Sequence, residues 1–188
     1  LKEPVTESTK KAARCFYALS QNRADSKRYP AIDTLDSYSK YLEYPEFIDY
    51  SKEKLDENWV GLVNEARNVL VRGKETEEQI NILGDDSVPI DYHVTLWKSE
   101  FVDFVILQQD AFDKIDATTS LERQEYMLKK VINVTRSEFK FEGFEEVATY
   151  FKRLINVFRQ MNYTVFKSEE FHKVEEEANA VLEERIIK

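Results

Sequence analysis

From Phe47 onward, apolar residues recur at helical spacing. Leu55, Trp59, Leu62, Val63, Ala66, Val69 and Leu70 fall at i, i+4, i+7, i+8, i+11, i+14 and i+15, one stripe down a helix. Glu57, Asn58, Asn64, Glu65 and Arg72 occupy the opposite face. Gly73 is a candidate break, after which Glu77 to Leu83 continues or restarts the helix. Gly84 is placed to stop it as a C-terminal glycine does. Asp85-Asp86-Ser87-Val88-Pro89 reads as a turn, with proline at the start of the next helix. That helix carries Val94, Trp97, Phe101, Phe104, Val105 and Gln108, so the two form an αα-hairpin with an acidic tip.

Gln109 to Asp116 breaks the period. Thr119 or Ser120 starts another helix, marked by Leu121, Leu128, Val131, Ile132 and Thr135. Gly143 punctuates, and the cleanest stripe follows: Phe144, Val147, Ala148, Phe151, Leu154, Ile155, Phe158 and Met161. A last helix runs from Ser168 with Phe171, Val174, Ala178, Val181, Leu182 and Ile186, and its Glu175-Glu176-Glu177 run reads as a solvated face.

The N-terminal portion has a different texture. Glu3-Pro4-Val5-Thr6 is expected to be extended, since proline discourages helix before it. Cys15-Phe16-Tyr17-Ala18-Leu19 is a short, aromatic-rich apolar run that reads as a buried strand; one face of a helix beginning near Thr6 fits the same pattern. Ser20 is placed to cap a short helix through Lys27. Tyr29 to Tyr41 is the least helical stretch, with Pro30 biasing Tyr29 away from helix and Asp33, Asp36 and Ser37 able to cap or turn locally. It marks a seam between two kinds of structure, where small-molecule sites tend to form. The expected fold is mainly α: a bundle of about five to six helices behind a short extended or strand segment.

Composition narrows the classes. The chain has 188 residues and a formal net charge of −9, and phosphate backbones need clustered Lys and Arg, so nucleic acid is not an expected partner. A single cysteine, Cys15, excludes an internal disulfide. Four glycines and four prolines are too few for a many-stranded fold. No apolar run approaches the ~20 residues of a membrane span. Leu1 is not a methionine, so the chain reads as a piece of something longer.

Little catalytic chemistry is visible. No G-x-x-x-x-G-K-[ST] loop is present, so the chain alone is not expected to hydrolyse a nucleoside triphosphate, and no catalytic residue is assigned. Glu169-x-x-His172 has the i, i+3 spacing of helical di-iron sites, but those need a second such pair. The other histidine, His93, has Ile90 three residues before it, so a surface pair is expected and no metal site. Cys15 reads as a small buried hydrophobe. Tyr29 and Phe112 stand apart from the other aromatics because each sits in a break between elements. Rings so placed can sandwich a planar base; packing the bundle against a neighbour fits them equally.

Two segments carry a resemblance. Tyr29-Pro30-Ala31-Ile32-Asp33-x-Leu35-Asp36-Ser37 resembles a segment of the nucleotide-binding subunits of rotary ATPases. Leu107-Gln108-Gln109-Asp110-Ala111-Phe112-Asp113, with Ser120-Leu121-Glu122-Arg123-Gln124 after it, is similar to the Leu-Gln-Gln-Asn-Ala-Phe-Asp…Ser-Leu-Glu-Lys-Gln motif of the vacuolar/archaeal-type catalytic subunit. Glu3-Pro4-Val5-Thr6 and Gly84-x-Asp86-Ser87-Val88-Pro89 resemble further family segments, in the right order. Asp110 in place of the usual Asn, and Asp33-Thr34-Leu35-Asp36 in place of Asn/Asp-Trp-Leu-Thr, depart from the pattern and point to a bacterial branch.

The resemblance implies the C-terminal part of the catalytic A subunit, the alpha chain, of a V/A-type ATPase or ATP synthase. Residues 1–41 would end its nucleotide-binding domain and residues 42–188 would form its helical domain. Tyr29 and Phe112 would flank the adenine of ATP or ADP, with Pro30, Gln109 and Ala111 as neighbours. The Mg-bound phosphates would be held by parts preceding Glu3, leaving this portion without nucleotide or activity on its own. Asp85, Asp86 and Ser87 would touch the central-stalk shaft. The B subunit would be the partner in an alternating heterohexamer, on the cytoplasmic face of the membrane and without insertion into it. The intact assembly would couple ATP hydrolysis or synthesis to movement of protons or sodium. A stand-alone helical interaction module without nucleotide is the alternative; it explains the periodicity but not the two motifs in order.

Overall fold

The computed structural model describes residues 3–187; Leu1 lies outside the described residues. The chain divides into two compact units, one running up to Gly61 and the other from Leu62.

The first unit opens with a helix, α1 (Pro4–Ala12), where the sequence suggested extended chain. Pro4 sits at the first helical position, where its fixed φ suits the helix and its missing N–H would have had no partner. The restriction that proline imposes falls on Glu3, which is extended at φ −70°, ψ 140°. Strand β1 (Cys15–Leu19) forms as expected but is not the buried strand the apolar run suggested: only Ala18 is buried, Cys15 is half-buried, and Tyr17 and Leu19 are exposed, because a two-stranded sheet has too little behind it to cover both faces. Ser20 caps α2 (Gln21–Asp25) by accepting from the Arg23 N–H.

The seam is itself a strand, β2 (Ile32–Ser39), antiparallel to β1 with Cys15 opposite Ser39 and Leu19 opposite Ile32. The register shifts between Phe16 and Ala18, and extra β2 residues bulge out there. Short polar side chains hold the bulge: Asp33 Oδ1 accepts from the N–H groups of Leu35 and Asp36 at 3.0 and 2.9 Å, and Ser37 Oγ from Ala18 N–H at 3.0 Å. A 3₁₀ turn and α3 (Pro45–Lys54) complete this part.

The long helix α4 (Trp59–Leu83) runs through Gly73 without a break. The glycine serves a close approach instead: a Cβ built there would lie 2.0 Å from the Ser99 Cβ of α5 (Ile90–Val102). Gly84, at φ 88°, ends α4 and opens the hairpin turn. The bundle continues with α6 (Leu121–Arg136), α7 (Phe144–Tyr163) and α8 (Glu169–Glu183). Its core is Phe101, Val131, Ile132, Val147, Phe151, Leu154, Phe158, Met161 and Phe171, with Phe101 and Phe158 edge to face at 4.9 Å. The mainly α fold with a small extended piece near the N-terminus is as the sequence indicated.

The periodicity missed two features of this bundle. Tyr150 is buried, and its hydroxyl lies 3.0 Å from the Leu182 carbonyl and 3.2 Å from that of Val181; burial pushes its pKa up to about 12. Glu175, read as part of a solvated face, is 13% exposed in its side chain and bound by the Tyr126 hydroxyl and by Lys130 at 2.9 Å. Burial would raise the Glu175 pKa, but the hydrogen bonds from Tyr126 and Lys130 and the lysine charge outweigh it and hold it below the usual range.

Candidate functional site

The loop between α5 and α6 carries the residues singled out in the sequence. The last turn of α5 widens into a π-turn over Asp103–Leu107, closed by Gln108 N–H donating to the Asp103 carbonyl at 2.9 Å. The Val105 carbonyl, displaced from regular helical pairing, accepts from Asn162 Nδ2 of α7 at 2.9 Å. Such π-turns are frequent at functional sites.

Beyond it the loop is held by its own short polar side chains. Asp110 Oδ1 accepts from Phe112 N–H at 2.9 Å, and Asp113 Oδ1 from the N–H groups of Ile115 and Asp116 at 2.9 and 2.8 Å. Asp116, 6% exposed, accepts from Asp110 N–H through Oδ2 at 2.6 Å, and its carbonyl accepts from Gln109 Nε2 at 2.6 Å. The carboxylate at Asp110 thus performs a turn-capping role open equally to an asparagine oxygen, which accounts for the departure from the family motif. The Phe112 ring projects from this frame and is 98% exposed.

Behind the loop stands Arg123, which the sequence places in the second motif but gives no role of its own. It is 4% exposed, its backbone N–H is taken by Ser120 Oγ at 3.2 Å, and its guanidinium donates to the carbonyls of Thr164, at 3.0 Å, and Met161. Both carbonyls lie at the C-terminal end of α7, where intrahelical donors run out; that of Met161 also accepts from the Thr164 hydroxyl at 3.0 Å. Burial lowers the Arg123 pKa, and the charges of Asp116 and Asp113 partly restore it.

Burial raises the Asp116 carboxyl above the ordinary range, opposed by the Asp110 N–H and the Arg123 charge. The folded state therefore binds that proton more tightly than the unfolded chain does. Its contribution to stability is full below the unfolded carboxylate value near ~4 and is lost as pH rises through the folded value. Asp116→Asn keeps an oxygen acceptor for Asp110 N–H and removes the titration. The melting temperature of the variant relative to wild type is expected to rise between pH 4 and pH 7; a difference flat across that window would contradict the assignment.

The hairpin tip forms a second candidate surface. Asp85, Asp86 and Ser87 form an exposed 3₁₀ turn between Gly84 and Pro89, beside exposed Ile82 and Leu83. His93, buried at 5% exposure, anchors it: Nε2 lies 3.0 Å from the Asp85 carbonyl, which requires the proton on that nitrogen, and the ring stacks on Phe144 at 4.9 Å. In the first unit Tyr29, 55% exposed, precedes Pro30 at the entry to β2. His172 of the Glu169-x-x-His172 pair faces Glu175 at 3.5 Å, while Glu169 pairs with Lys173 at 2.9 Å, so the two do not converge.

The family model for the C-terminal domain of V and A type ATP synthase matches residues 48–148, over half of the chain. The chain belongs to this family. It is 38% identical over 176 residues to the V-type ATP synthase alpha chain of Borrelia duttonii (strain Ly), covering 92% of this chain and 28% of that one. With the alpha chain of Protochlamydia amoebophila it shares 33% over 183 residues, covering 97% and 30%, and with that of Treponema denticola 34% over 174 residues, covering 93% and 27%. The chain thus spans under a third of the length of these relatives. Its fold is also similar to a solved ATP synthase subunit, NeqB from Nanoarcheaum equitans, at a TM-score of 0.50 and 20% identity, over 73% of this chain and 32% of that one. Among the described residues no helix is long and apolar enough to cross a membrane.

Proposed function

We propose that this chain is the C-terminal part of the catalytic alpha subunit of a V/A-type rotary ATPase or ATP synthase, and that the α5–α6 loop supplies an adenine contact. The observation that carries the reading is Phe112: a large aromatic ring left almost wholly exposed on a loop whose backbone is pinned at Asp110, Asp113 and Asp116. An exposed ring on a rigid loop offers a stacking face without an ordering cost, and stacking on a nucleobase uses that face. Ala111 and Gln109 flank it on the same loop. Tyr29 and Pro30, in the portion assigned to the end of the nucleotide-binding domain, residues 1–41, carry the other aromatic of the family motif and receive the same role. Mg-bound phosphates of ATP or ADP belong to parts of the subunit outside this chain.

The hairpin tip is the proposed shaft contact. Asp85, Asp86 and Ser87, with Ile82 and Leu83 beside them, present an acidic and apolar end suited to a basic, amphipathic helical partner. His93 keeps that end in one conformation. The B subunit as hexamer partner, the coupling of ATP turnover to proton or sodium movement, and a position on the cytoplasmic face of the membrane complete the reading.

The test is photolabelling of the full-length subunit, in its assembled complex, with an 8-azidoadenine nucleotide. Label is expected in peptides containing Phe112 or Tyr29; label confined to peptides outside this chain would overturn the assignment.

A further inference from the structure

Among the described residues one buried side-chain polar atom lacks a hydrogen-bond partner, Gln108 Nε2. Native interiors seldom leave such a donor unused, and one that persists calls for a role in another state. Its place is informative. Gln108 sits between the π-turn of Asp103–Leu107 and the pinned loop, with its backbone N–H fixed on the Asp103 carbonyl at 2.9 Å. Its neighbour Gln109 differs in its engagement, since that amide donates to the Asp116 carbonyl at 2.6 Å and so is spent on holding the loop. Of two adjacent glutamines, one builds the frame beneath Phe112 and the other keeps an amide NH₂ without a partner.

A primary amide matches one base edge closely. Adenine presents an N6 amino donor beside a ring-nitrogen acceptor, and a glutamine meets both at once with its oxygen and its NH₂. Guanine presents an O6 acceptor at the same place and breaks the match. Resting on the adenine reading of the loop given above, we propose that Gln108, and not Gln109, reads the base and selects adenine nucleotides over guanine nucleotides. Gln109 is a positioning residue, acting through the Phe112 loop. The Gln108 side chain, whose Nε2 is buried here, reaches the base by a change of rotamer along its aliphatic stem, among the staggered wells open to glutamine.

The experiment measures ATP and GTP affinity of the full-length subunit in its assembled complex, for wild type, Gln108→Ala, Gln108→Leu, Gln109→Ala and Phe112→Ala. Gln108→Ala and Gln108→Leu are expected to cut the preference for ATP over GTP by about tenfold, almost all of it through weaker ATP binding. Gln108→Leu is expected to melt at the wild-type temperature or above, because it removes an unpaired buried donor; a structural glutamine would lower it. Gln109→Ala is expected to weaken both nucleotides alike and leave their ratio intact. An unchanged ratio in both Gln108 variants, with Phe112→Ala weakening both nucleotides, overturns this inference and leaves the adenine pocket standing. A ratio that moves with Gln109→Ala instead, or a wild type without preference for ATP, also overturns it. If Phe112→Ala leaves both affinities unchanged, the adenine reading itself fails and takes this one with it.

Discussion

Arg123→Ala is expected to destabilise the chain by about 3–5 kcal/mol, more than any other single change considered. The side chain is buried beside Asp116 and spans the carbonyls of Met161 and Thr164. Truncation takes the charged donor from both carbonyls, of which only that of Met161 keeps another donor in the Thr164 hydroxyl, removes the cation that partly offsets the buried carboxylate, and empties the volume of the guanidinium stem. Each unpaired buried acceptor alone costs about 1–3 kcal/mol. In a chain of this length the melting temperature should fall by roughly 6–20 °C. Arg123→Lys should recover only part of that, since a compact ammonium cannot address two carbonyls as a planar fork does. Loss of about 1 kcal/mol or less in urea unfolding would mean that Arg123 is not the bolt between α6 and the end of α7.

Arg123 also shows where the sequence signal lay. It is the third residue after the Ser120 cap, in the first turn of a helix, where the dipole disfavours a cation. A residue against its local electrostatics is one held by something distant in sequence, and Thr164 is 41 positions away. Periodicity, a local property, shows the stripes of α4, α5, α6, α7 and α8 and the start of α8 at Ser168; for α6 it leaves Thr119 and Ser120 open, and Ser120 is the cap. It could not find Tyr150 on the Leu182 carbonyl, Glu175 under Tyr126, or His93 beneath Asp85, because each partner comes from another element.

The N-terminal unit was harder for the same reason. Pro4 satisfies two opposite rules at once, extended before it and helical from it, so Glu3-Pro4 alone did not say which side the chain would take. The strand character of Ile32–Ser39 is masked by Asp33, Asp36 and Ser37; the side chains of Asp33 and Ser37 hold the bulge, where Asp36 gives its N–H to Asp33, rather than end the strand. At the loop, the motif points to Gln109 for the proposed adenine site, and only the folded loop distinguishes its NH₂, given to the Asp116 carbonyl, from that of Gln108, left without a partner. The acidic character of Gln109 to Asp116 was plain in the sequence, but not that each carboxylate caps a backbone amide of the same loop.

Phe112→Ala should leave stability unchanged and weaken binding, which makes it the sharpest test of the site. The ring is 98% exposed, so its removal forfeits almost no packing, and the loop beneath it is held by Asp110, Asp113 and Asp116 rather than by the ring. Unfolding free energy is expected to stay within about 0.5 kcal/mol of wild type. In the full-length subunit, nucleotide affinity is expected to fall by about 5- to 150-fold, the equivalent of ~1–3 kcal/mol for one base stacked on one ring. Stacking uses the face that every base shares, so ATP and GTP should weaken together. Phe112→Tyr and Phe112→Trp keep a flat π surface and should retain most of the affinity, while Phe112→Leu, apolar but not flat, should lose most of it. That ranking separates stacking from simple apolar contact, under which leucine would serve as well as tyrosine. Unchanged affinity in Phe112→Ala, with the fold intact, would show that the exposed ring faces a protein partner and not a base.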